Sequence, residues 1–288
     1  ADKYKVPRVC FINKLDRTGA SFERSFETIL DRLTQNAARA QLPIGLEENF
    51  SGIVDLLNKK AFKFEGEFGE KITEIEIPAD MRSEVEKFRE KLVEKIVEGD
   101  DALAERYLGG EEIPTEELRK ALRKAVISYK IIPVFCGSAL KNKGVQFVLD
   151  AVVDYLPAPI DLPPVVGRDP ETNEEIVVRA ADDEPLAAIA FKLQSDPFVG
   201  QLIFFRVYSG TLSAGSYVLN TSTGNKERVG RILRIHANSR EDIKEVHAGD
   251  IAAIVGLKGT RTGNTLCDPE RPIILESIIF PEPVVSLR

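Results

Sequence analysis

The chain contains 288 residues, of which 43% are hydrophobic, and this length corresponds to about two globular domains of average size. Its 46 acidic and 39 basic side chains give a formal net charge of −7. This charge argues against a polybasic nucleic-acid binder, because neutralising phosphates needs excess positive charge. Three cysteines cannot build a disulfide framework, and no apolar run reaches the length of about 18 residues that a membrane-spanning helix needs. We therefore predict a protein of a reducing compartment, the cytoplasm, with no membrane partner.

Two segments predict strands that are buried on both faces of a sheet, because each is a short continuous apolar run. Residues 9–12 form the first of these and lead into a polar, glycine-containing loop at residues 13–20. A helix with Ser21 near its N-cap follows, since Phe22 and Phe26 begin a series of apolar residues at helical spacing. This strand, loop and helix form one half of a β-α-β unit.

A second copy of this pattern lies far downstream in the chain. Residues 131–136 form its apolar strand, residues 137–140 form its loop, and a helix from Val145 ends before Pro157 and Pro159. Strands that are each followed by a helix indicate a parallel sheet, and ligands of such sheets bind at the carboxyl ends of the strands. We therefore expect the two loops to share one site.

Between the two copies, residues 42–130 have a different character. Glycine turns and short alternating runs between residues 45 and 77 predict antiparallel strands, and apolar residues at helical spacing predict helices at residues 85–96 and after Thr115. This segment has 21 acidic and 15 basic side chains, a net charge of −6, whereas the remaining 199 residues hold 25 acidic and 24 basic side chains. We therefore predict an acidic α+β insertion within the α/β part of the chain.

The last part of the chain predicts an all-β barrel, because short strands alternate with turns such as those at Gly215 and Gly224. Residues 162–164 are typical of an interdomain linker before the barrel, and residues 281–283 are typical of the start of another after it. The predicted strands are residues 186–193, 202–208, 217–219, 229–236, 251–257 and 273–280.

In the first loop, Asn13, Lys14 and Asp16 match the N-K-x-D motif for guanine recognition. An ionised Asp16 would accept two hydrogen bonds from the N1–H and N2–H₂ groups of guanine, whereas adenine offers neither donor there. The Asn13 amide would bond the imidazole side of the base and brace the neighbouring loop, and the Lys14 stem would lie across the base plane. The alternative is a solvated turn in which Asp16 merely caps the next helix.

The second loop carries a matching signal at Ser138, Ala139 and Leu140. GTPases have an S-A-L or S-A-K loop at the end of a later strand, where a backbone N–H reaches guanine O6 and small residues allow a close approach. Alone, this would be a small-residue turn, but together with the N-K-x-D motif it predicts a guanine site. No Gly-Lys dipeptide occurs in the chain, so the phosphate-binding G-x-x-x-x-G-K-[ST] loop is absent. We therefore predict contact with the guanine part of GTP or GDP, with no catalytic residue and no metal ligand in this chain.

From Val6 onward, the chain resembles bacterial-type elongation factor G over essentially its full length. The resemblance implies a multidomain fold of α/β and all-β parts. A partial parallel sheet of the P-loop GTPase type, with an α+β insertion, would be followed by a β-barrel of the translation-factor type. The segments that carry the resemblance are residues 11–20, 41–45, 50–56, 207–212, 247–253, 272–276 and 280–284.

The resemblance also implies a parent protein that hydrolyses GTP on the ribosome and drives translocation of tRNA and mRNA. The phosphate loop, the switches, the catalytic histidine and the Mg²⁺ ligands of this family would precede the chain, and domains III to V would follow it. Because the chain also lacks an initial Met, we expect a fragment that does not hydrolyse GTP by itself. Its parts would be the GTP-binding (G) domain at residues 1–41 and 131–160, the insertion at 42–130, domain II at 161–280 and a linker towards domain III at 281–288.

The partners that the resemblance implies are the ribosomal stalk protein for the acidic insertion, small-subunit RNA for domain II, and the missing parts of the same protein. An acidic surface fits a basic protein partner better than RNA, although a merely solvated acidic face is the alternative. Arg228, Arg231 and Arg234 lie on or just before a predicted barrel strand and would suit phosphate contacts, with a solvated face as the alternative. His236 and His247 fall in the barrel, and we assign no catalytic role to them.

Proteins with other functions would show most of these sequence features. A fragment of a protein similar to peptide release factor three or to a tetracycline-resistance ribosome-protection protein would carry the same guanine motifs. A non-catalytic module that binds ribosomes is a further alternative. The long insertion and the sequence of residues 18–22 favour elongation factor G among them.

Overall fold

The computed structural model describes residues 1–197, 199–237 and 239–275. The chain divides into two compact units, Ala1–Pro157 and Ala158–Arg288. The predicted linker at residues 281–288 and most of the last predicted strand lie outside the described residues. None of the helices in the described part of the chain combines the length and the apolar character that crossing a membrane requires.

The first unit consists of a parallel sheet, an antiparallel sheet and the helices that share a core with them. Its strands are β1 (Cys10–Ile12), β2 (Ala37–Arg39), β3 (Gln41–Ile44), β4 (Gly52–Asp55), β5 (Lys60–Glu65), β6 (Lys71–Ile75) and β7 (Ile132–Cys136). Its α-helices are α1 (Phe22–Arg32), α2 (Arg82–Val97), α3 (Asp101–Leu108), α4 (Thr115–Ile127) and α5 (Val145–Tyr155).

The strand β7 lies at the centre of the parallel sheet, between β1 and β2. All residues of β7 are buried, which explains why its sequence is a continuous apolar run. The predicted start of α1 is confirmed, because the Ser21 hydroxyl oxygen accepts a hydrogen bond from the Arg24 N–H at 3.2 Å. The strand β2 was not predicted, because Ala37 and Ala38 are buried but form too short an apolar run to indicate a strand.

The strands β3, β4, β5 and β6 form an antiparallel sheet in chain order. Antiparallel strands were predicted between residues 45 and 77, which include β4, β5 and β6, whereas β3 precedes them. The helices α2 and α4 confirm the two helices predicted in this region. The helix α3 was not predicted, because Leu103 is its one buried residue and a single anchor gives no helical periodicity. Ile53 and Leu92 from this region lie in the same buried cluster as Val134 of β7, so both sheets share one core. The boundaries of the insertion stay a prediction.

The second unit is built from strands. Their bounds are β8 (Val165–Arg168), β9 (Glu175–Val178), β10 (Ala187–Asp196), β11 (Gly200–Ser209), β12 (Leu212–Ser213), β13 (Tyr217–Asn220), β14 (Asn225–Arg228), β15 (Arg231–His236), β16 (Ser239–Ile243), β17 (Glu245–Val246), β18 (Ile251–Val255) and β19 (Thr265–Cys267).

Within the described residues, eight of these strands form one antiparallel sheet in the order β14-β13-β19-β10-β11-β18-β15-β16. The sheet curls around the largest buried cluster of this unit, since Val218 near one edge, Phe205 in the middle and Ile232 near the other edge all lie in it. The predicted antiparallel, β-rich second part of the chain is therefore confirmed.

The structure also differs from the strand predictions in this unit. The strands β14 and β16 were not predicted, because their residues are mainly polar and exposed and lack the alternation of a half-buried strand. Residues 273–275, the described part of the strand predicted at 273–280, form no strand, and Ile274 makes a single bridge to Arg168. The remaining strands that were not predicted are β8, β9, β12, β17 and β19.

Candidate functional site

The two loops that were predicted to share a site meet at the carboxyl ends of β1 and β7, which are parallel neighbours. The Asn13 Oδ1 atom accepts hydrogen bonds from the backbone N–H of Lys14 at 2.8 Å and from that of Ala139 at 2.9 Å. The Leu15 N–H donates to the Gly137 carbonyl oxygen at 3.1 Å. The structure therefore brings the two sequence motifs together, and the Asn13 side chain joins them.

Asp16 interacts with the second loop through Ser138, which is buried. A hydrogen bond from the Ser138 side chain is the main reason that the pKa of Asp16 lies below its ordinary value. Partial burial opposes this lowering, and the charges of Arg17 and Lys141 add to it. A carboxylate has about four acceptor positions, so an ionised Asp16 can bond Ser138 and still accept further hydrogen bonds at neutral pH.

The second loop turns at a position that has room for glycine alone. A Cβ atom on Gly137 would lie 2.2 Å from the Lys143 carbonyl oxygen and 2.9 Å from the ring of Phe11. Two backbone hydrogen bonds between Ser138 and Lys143, at 2.9 and 3.0 Å, then close the loop. Because non-bonded heavy atoms pack at about 3.5–4 Å, a side chain at this position would displace the loop.

Ala139 and Leu140 lie at the exposed tip of this loop, where their backbone N–H groups have different roles. The N–H of Ala139 is bonded to Asn13, whereas no described residue accepts a hydrogen bond from the N–H of Leu140. Lys14 is also exposed, and its left-handed backbone, with φ of +66°, is stabilised by the bond from its N–H to Asn13. The site thus offers an ionised acceptor, a backbone donor and an exposed lysine stem.

Two residues to which the sequence analysis gave no role in the site also contact the loops. The Oε1 atom of Glu47 accepts a hydrogen bond from the Gly19 N–H at 2.9 Å, and the Phe50 carbonyl oxygen accepts one from Lys143 Nζ at 2.8 Å. Both lie between β3 and β4, inside the predicted insertion. No motif or periodicity marks them, because each contact joins residues that are far apart in the chain.

The site offers hydrogen-bonding groups but no set of cation ligands. Among the residues that the structure describes, no group of three or more His, Cys, Asp and Glu side chains could hold a metal ion. We assign no ligand among the described residues, and no step, to the Mg²⁺ that the family resemblance implies. His236 and His247 belong to the second unit, where His247 Nδ1 lies 3.1 Å from Asp182 Oδ2.

The arginines of the predicted phosphate-contacting face lie on β14 and β15. Arg231 is 3.7 Å from Asp242, and Arg234 is 3.7 Å from Glu241, so these two cations face carboxylates of β16. Arg228 ends β14 and is exposed. Contact of these residues with phosphates stays a prediction.

Comparisons with known proteins extend over both units. Residues 1–158 match the family model of the elongation factor Tu GTP binding domain, and residues 200–267 match that of elongation factor Tu domain 2. The crystal structure of ttk003000868 from Thermus thermophilus is similar, with a TM-score of 0.79 and 27% sequence identity, over 99% of this chain and 40% of that chain. This chain thus spans less than half of the length of that protein. Because the first family model covers more than half of the residues, the chain belongs to the family of the elongation factor Tu GTP-binding domain, the translational GTPases.

Proposed function

We propose that this chain is part of a translocation GTPase of the elongation factor G type, which acts on the ribosome during translation elongation. The observation that carries the proposal is the junction of the two guanine motifs, in which the Asn13 side chain bonds the Ala139 N–H and the Leu15 N–H bonds the Gly137 carbonyl oxygen. The length of the segment between β2 and β7, with its own antiparallel sheet and helices, supports the elongation factor G type among the translational GTPases.

Each group of the site has a role in this proposal. Asp16 accepts hydrogen bonds from the N1–H and N2–H₂ groups of guanine, which adenine cannot donate. The N–H of Leu140, which no described residue uses, donates to guanine O6, and the Lys14 stem covers the face of the base. Discrimination against adenine arises because an adenine base would leave the Asp16 carboxylate without these donors.

Under the same proposal, this chain lacks groups that GTP hydrolysis requires. The sequence has no Gly-Lys dipeptide and hence no G-x-x-x-x-G-K-[ST] loop for the phosphates. No group of three or more His, Cys, Asp and Glu side chains among the described residues could hold a metal ion. We therefore infer that the chain contacts the guanine part of GTP or GDP and that it does not turn over GTP alone.

The partners follow from charge and from the site of action. Residues 42–130 carry a net charge of −6, which favours a basic protein surface, and we propose the ribosomal stalk protein for it. For the second unit we propose small-subunit RNA as the partner. Arg231 and Arg234 face carboxylates of β16, whereas no acidic partner is described for Arg228, so we propose Arg228 for the contact with phosphate. Action on ribosomes, together with free Cys10, Cys136 and Cys267, supports a location in the cytoplasm.

Replacement of Asp16 by Asn tests the guanine site directly. An Asn side chain presents one acceptor and one donor, which match xanthine, whose C2 carries an oxygen where guanine carries an amino group. We expect D16N to bind GDP at least about tenfold more weakly than the unchanged chain and to bind xanthosine diphosphate more tightly than it does GDP. The measurement is a titration of the ¹⁵N-labelled chain with each nucleotide, followed by NMR.

The matched control is Asp31→Asn, which removes an exposed carboxylate of α1 and leaves both loops unchanged. We expect this variant to keep the preference of the unchanged chain for GDP over ADP. If D16N and the unchanged chain bind GDP equally, or if the unchanged chain does not prefer GDP over ADP, the proposed guanine site is wrong.

A further inference from the structure

A short segment of the predicted insertion contacts both loops of the guanine site. We call residues 45–50, which lie in the connection between β3 and β4, the bracing segment. Its contact with the first loop runs through Glu47, whose backbone N–H donates to the Leu15 carbonyl oxygen at 2.7 Å and whose Oε1 accepts from the Gly19 N–H at 2.9 Å. The loop that carries Asp16 is therefore held on both sides of that residue.

The other end of the bracing segment holds the second loop. Lys143 Nζ donates to the Phe50 carbonyl oxygen at 2.8 Å and lies 5.8 Å from the centre of the Phe50 ring, which is buried. Lys143 is the residue whose backbone pairs with Ser138 to close that loop. The position of Ser138, and through it the surroundings of Asp16, thus depends on the bracing segment as well.

The bracing segment has a backbone that few sequences can adopt. Gly45 has a φ of +74°, and a Cβ atom there would lie 2.1 Å from the Asn49 carbonyl oxygen. Glu47 has a φ of +56°, a conformation that is unfavourable for residues other than glycine and that persists where the surroundings enforce it. The Phe50 N–H donates to the Glu47 carbonyl oxygen at 3.1 Å and completes the turn. This rigid turn directs the Glu47 carboxylate to Gly19.

The hairpin of β5 and β6 reaches the second loop independently. A Cβ atom on Gly69, between these strands, would lie 2.6 Å from the Lys141 carbonyl oxygen and 3.1 Å from that of Asn142. The antiparallel sheet therefore packs against the base-binding loops at more than one point, with no space left between the two backbones.

We propose that Glu47 is a positioning residue for guanine recognition, through which the antiparallel sheet β3–β6 controls the affinity of the site. This inference rests on the proposed function of the two loops. Glu47 acts through Leu15 and Gly19, which flank Asp16 in the first loop. Without the carboxylate the loop samples more conformations, and nucleotide binding has to supply the free energy that orders it.

The test compares three variants of this chain in NMR titrations with GDP and with ADP. We expect Glu47→Ala to weaken GDP binding by about fivefold to tenfold, to reduce the preference for GDP over ADP, and to shift the Gly19 amide proton resonance. Glu47→Gln keeps an oxygen acceptor, so we expect it to retain most of the affinity of the unchanged chain for GDP. Glu48→Ala removes the exposed neighbouring carboxylate and is expected to change GDP affinity by less than about twofold.

A fourth variant protects the test against a loss of folding. Lys143→Met removes the ammonium group that bonds the Phe50 carbonyl oxygen but keeps the apolar stem, and we expect it to weaken GDP binding as well. The positioning role of Glu47 is overturned if the unchanged chain prefers GDP over ADP while Glu47→Ala binds GDP as tightly as it does, whatever the result for Lys143→Met. If the unchanged chain shows no such preference, the proposed guanine site fails, and the positioning role fails with it.

Discussion

GDP–Mg²⁺ is expected to bind this chain with a dissociation constant of about 1 mM or weaker, which corresponds to a binding free energy near −4 kcal/mol. The reason is that the site, as we propose it, contacts the base alone, while most of the affinity for such a charged ligand comes from backbone N–H groups and cations around its phosphates. Calorimetric titration measures this value. A longer chain that also carries a G-x-x-x-x-G-K-[ST] loop upstream is expected to bind GDP–Mg²⁺ at least about a thousandfold more tightly.

The control is ADP–Mg²⁺ in both chains. For the longer chain, we expect the added phosphate contacts to serve both nucleotides, so that the preference for GDP still depends on the loops that hold Asp16 and Ser138. Micromolar binding of GDP by the present chain would contradict our account of where the affinity arises.

Replacement of Arg240 by Ala is expected to lower the free energy of unfolding by about 3 kcal/mol, because it removes a cation that pairs with a buried carboxylate. Arg240 lies on β16 and pairs with Asp196, whose side chain is 2% exposed at the end of β10. Asp196 Oδ1 also accepts a hydrogen bond from the Val199 N–H at 3.1 Å, in the connection to β11. Urea denaturation of the full chain, followed by circular dichroism, measures the change.

The adjacent residue of β16 provides a matched control. Glu241 lies 3.7 Å from Arg234, and both side chains are at least half exposed. An exposed ion pair of this kind contributes about 0–1 kcal/mol, so we expect Glu241→Ala to have little effect on unfolding. Equal effects of Arg240→Ala and Glu241→Ala would show that burial of Asp196 does not strengthen its ion pair.

Much of the first unit could be predicted from the sequence, because the signals are local. The strands β1 and β7 are continuous apolar runs, and the start of α1 is marked by a capping serine three residues before the N–H that it binds. Both guanine motifs follow a strand, so their meeting at one edge of the sheet follows from the parallel arrangement alone.

The strands that escaped prediction have no local signal of this kind. β14 and β16 are polar edge strands of the large antiparallel sheet, held by pairing with β13 and β15 rather than by a buried face of their own. The strand β2 consists of Ala37–Arg39, and its place in the parallel sheet depends on pairing with β7, which lies about a hundred residues downstream. Pairing of this sort leaves no periodicity in the strand itself.

The residues that we propose to contact the base could be identified from the amino-acid order, since Asn13, Lys14 and Asp16 form a motif within four positions. The placement of these side chains depends on tertiary contacts. Glu47 and Glu48 are adjacent and chemically identical, and nothing in the sequence distinguishes them. The left-handed backbone of Glu47 places its carboxylate on Gly19, 28 residues earlier in the chain, whereas Glu48 is exposed. A contact between residues so far apart follows from the packing of two sheets around one core and has no counterpart in spacing or composition.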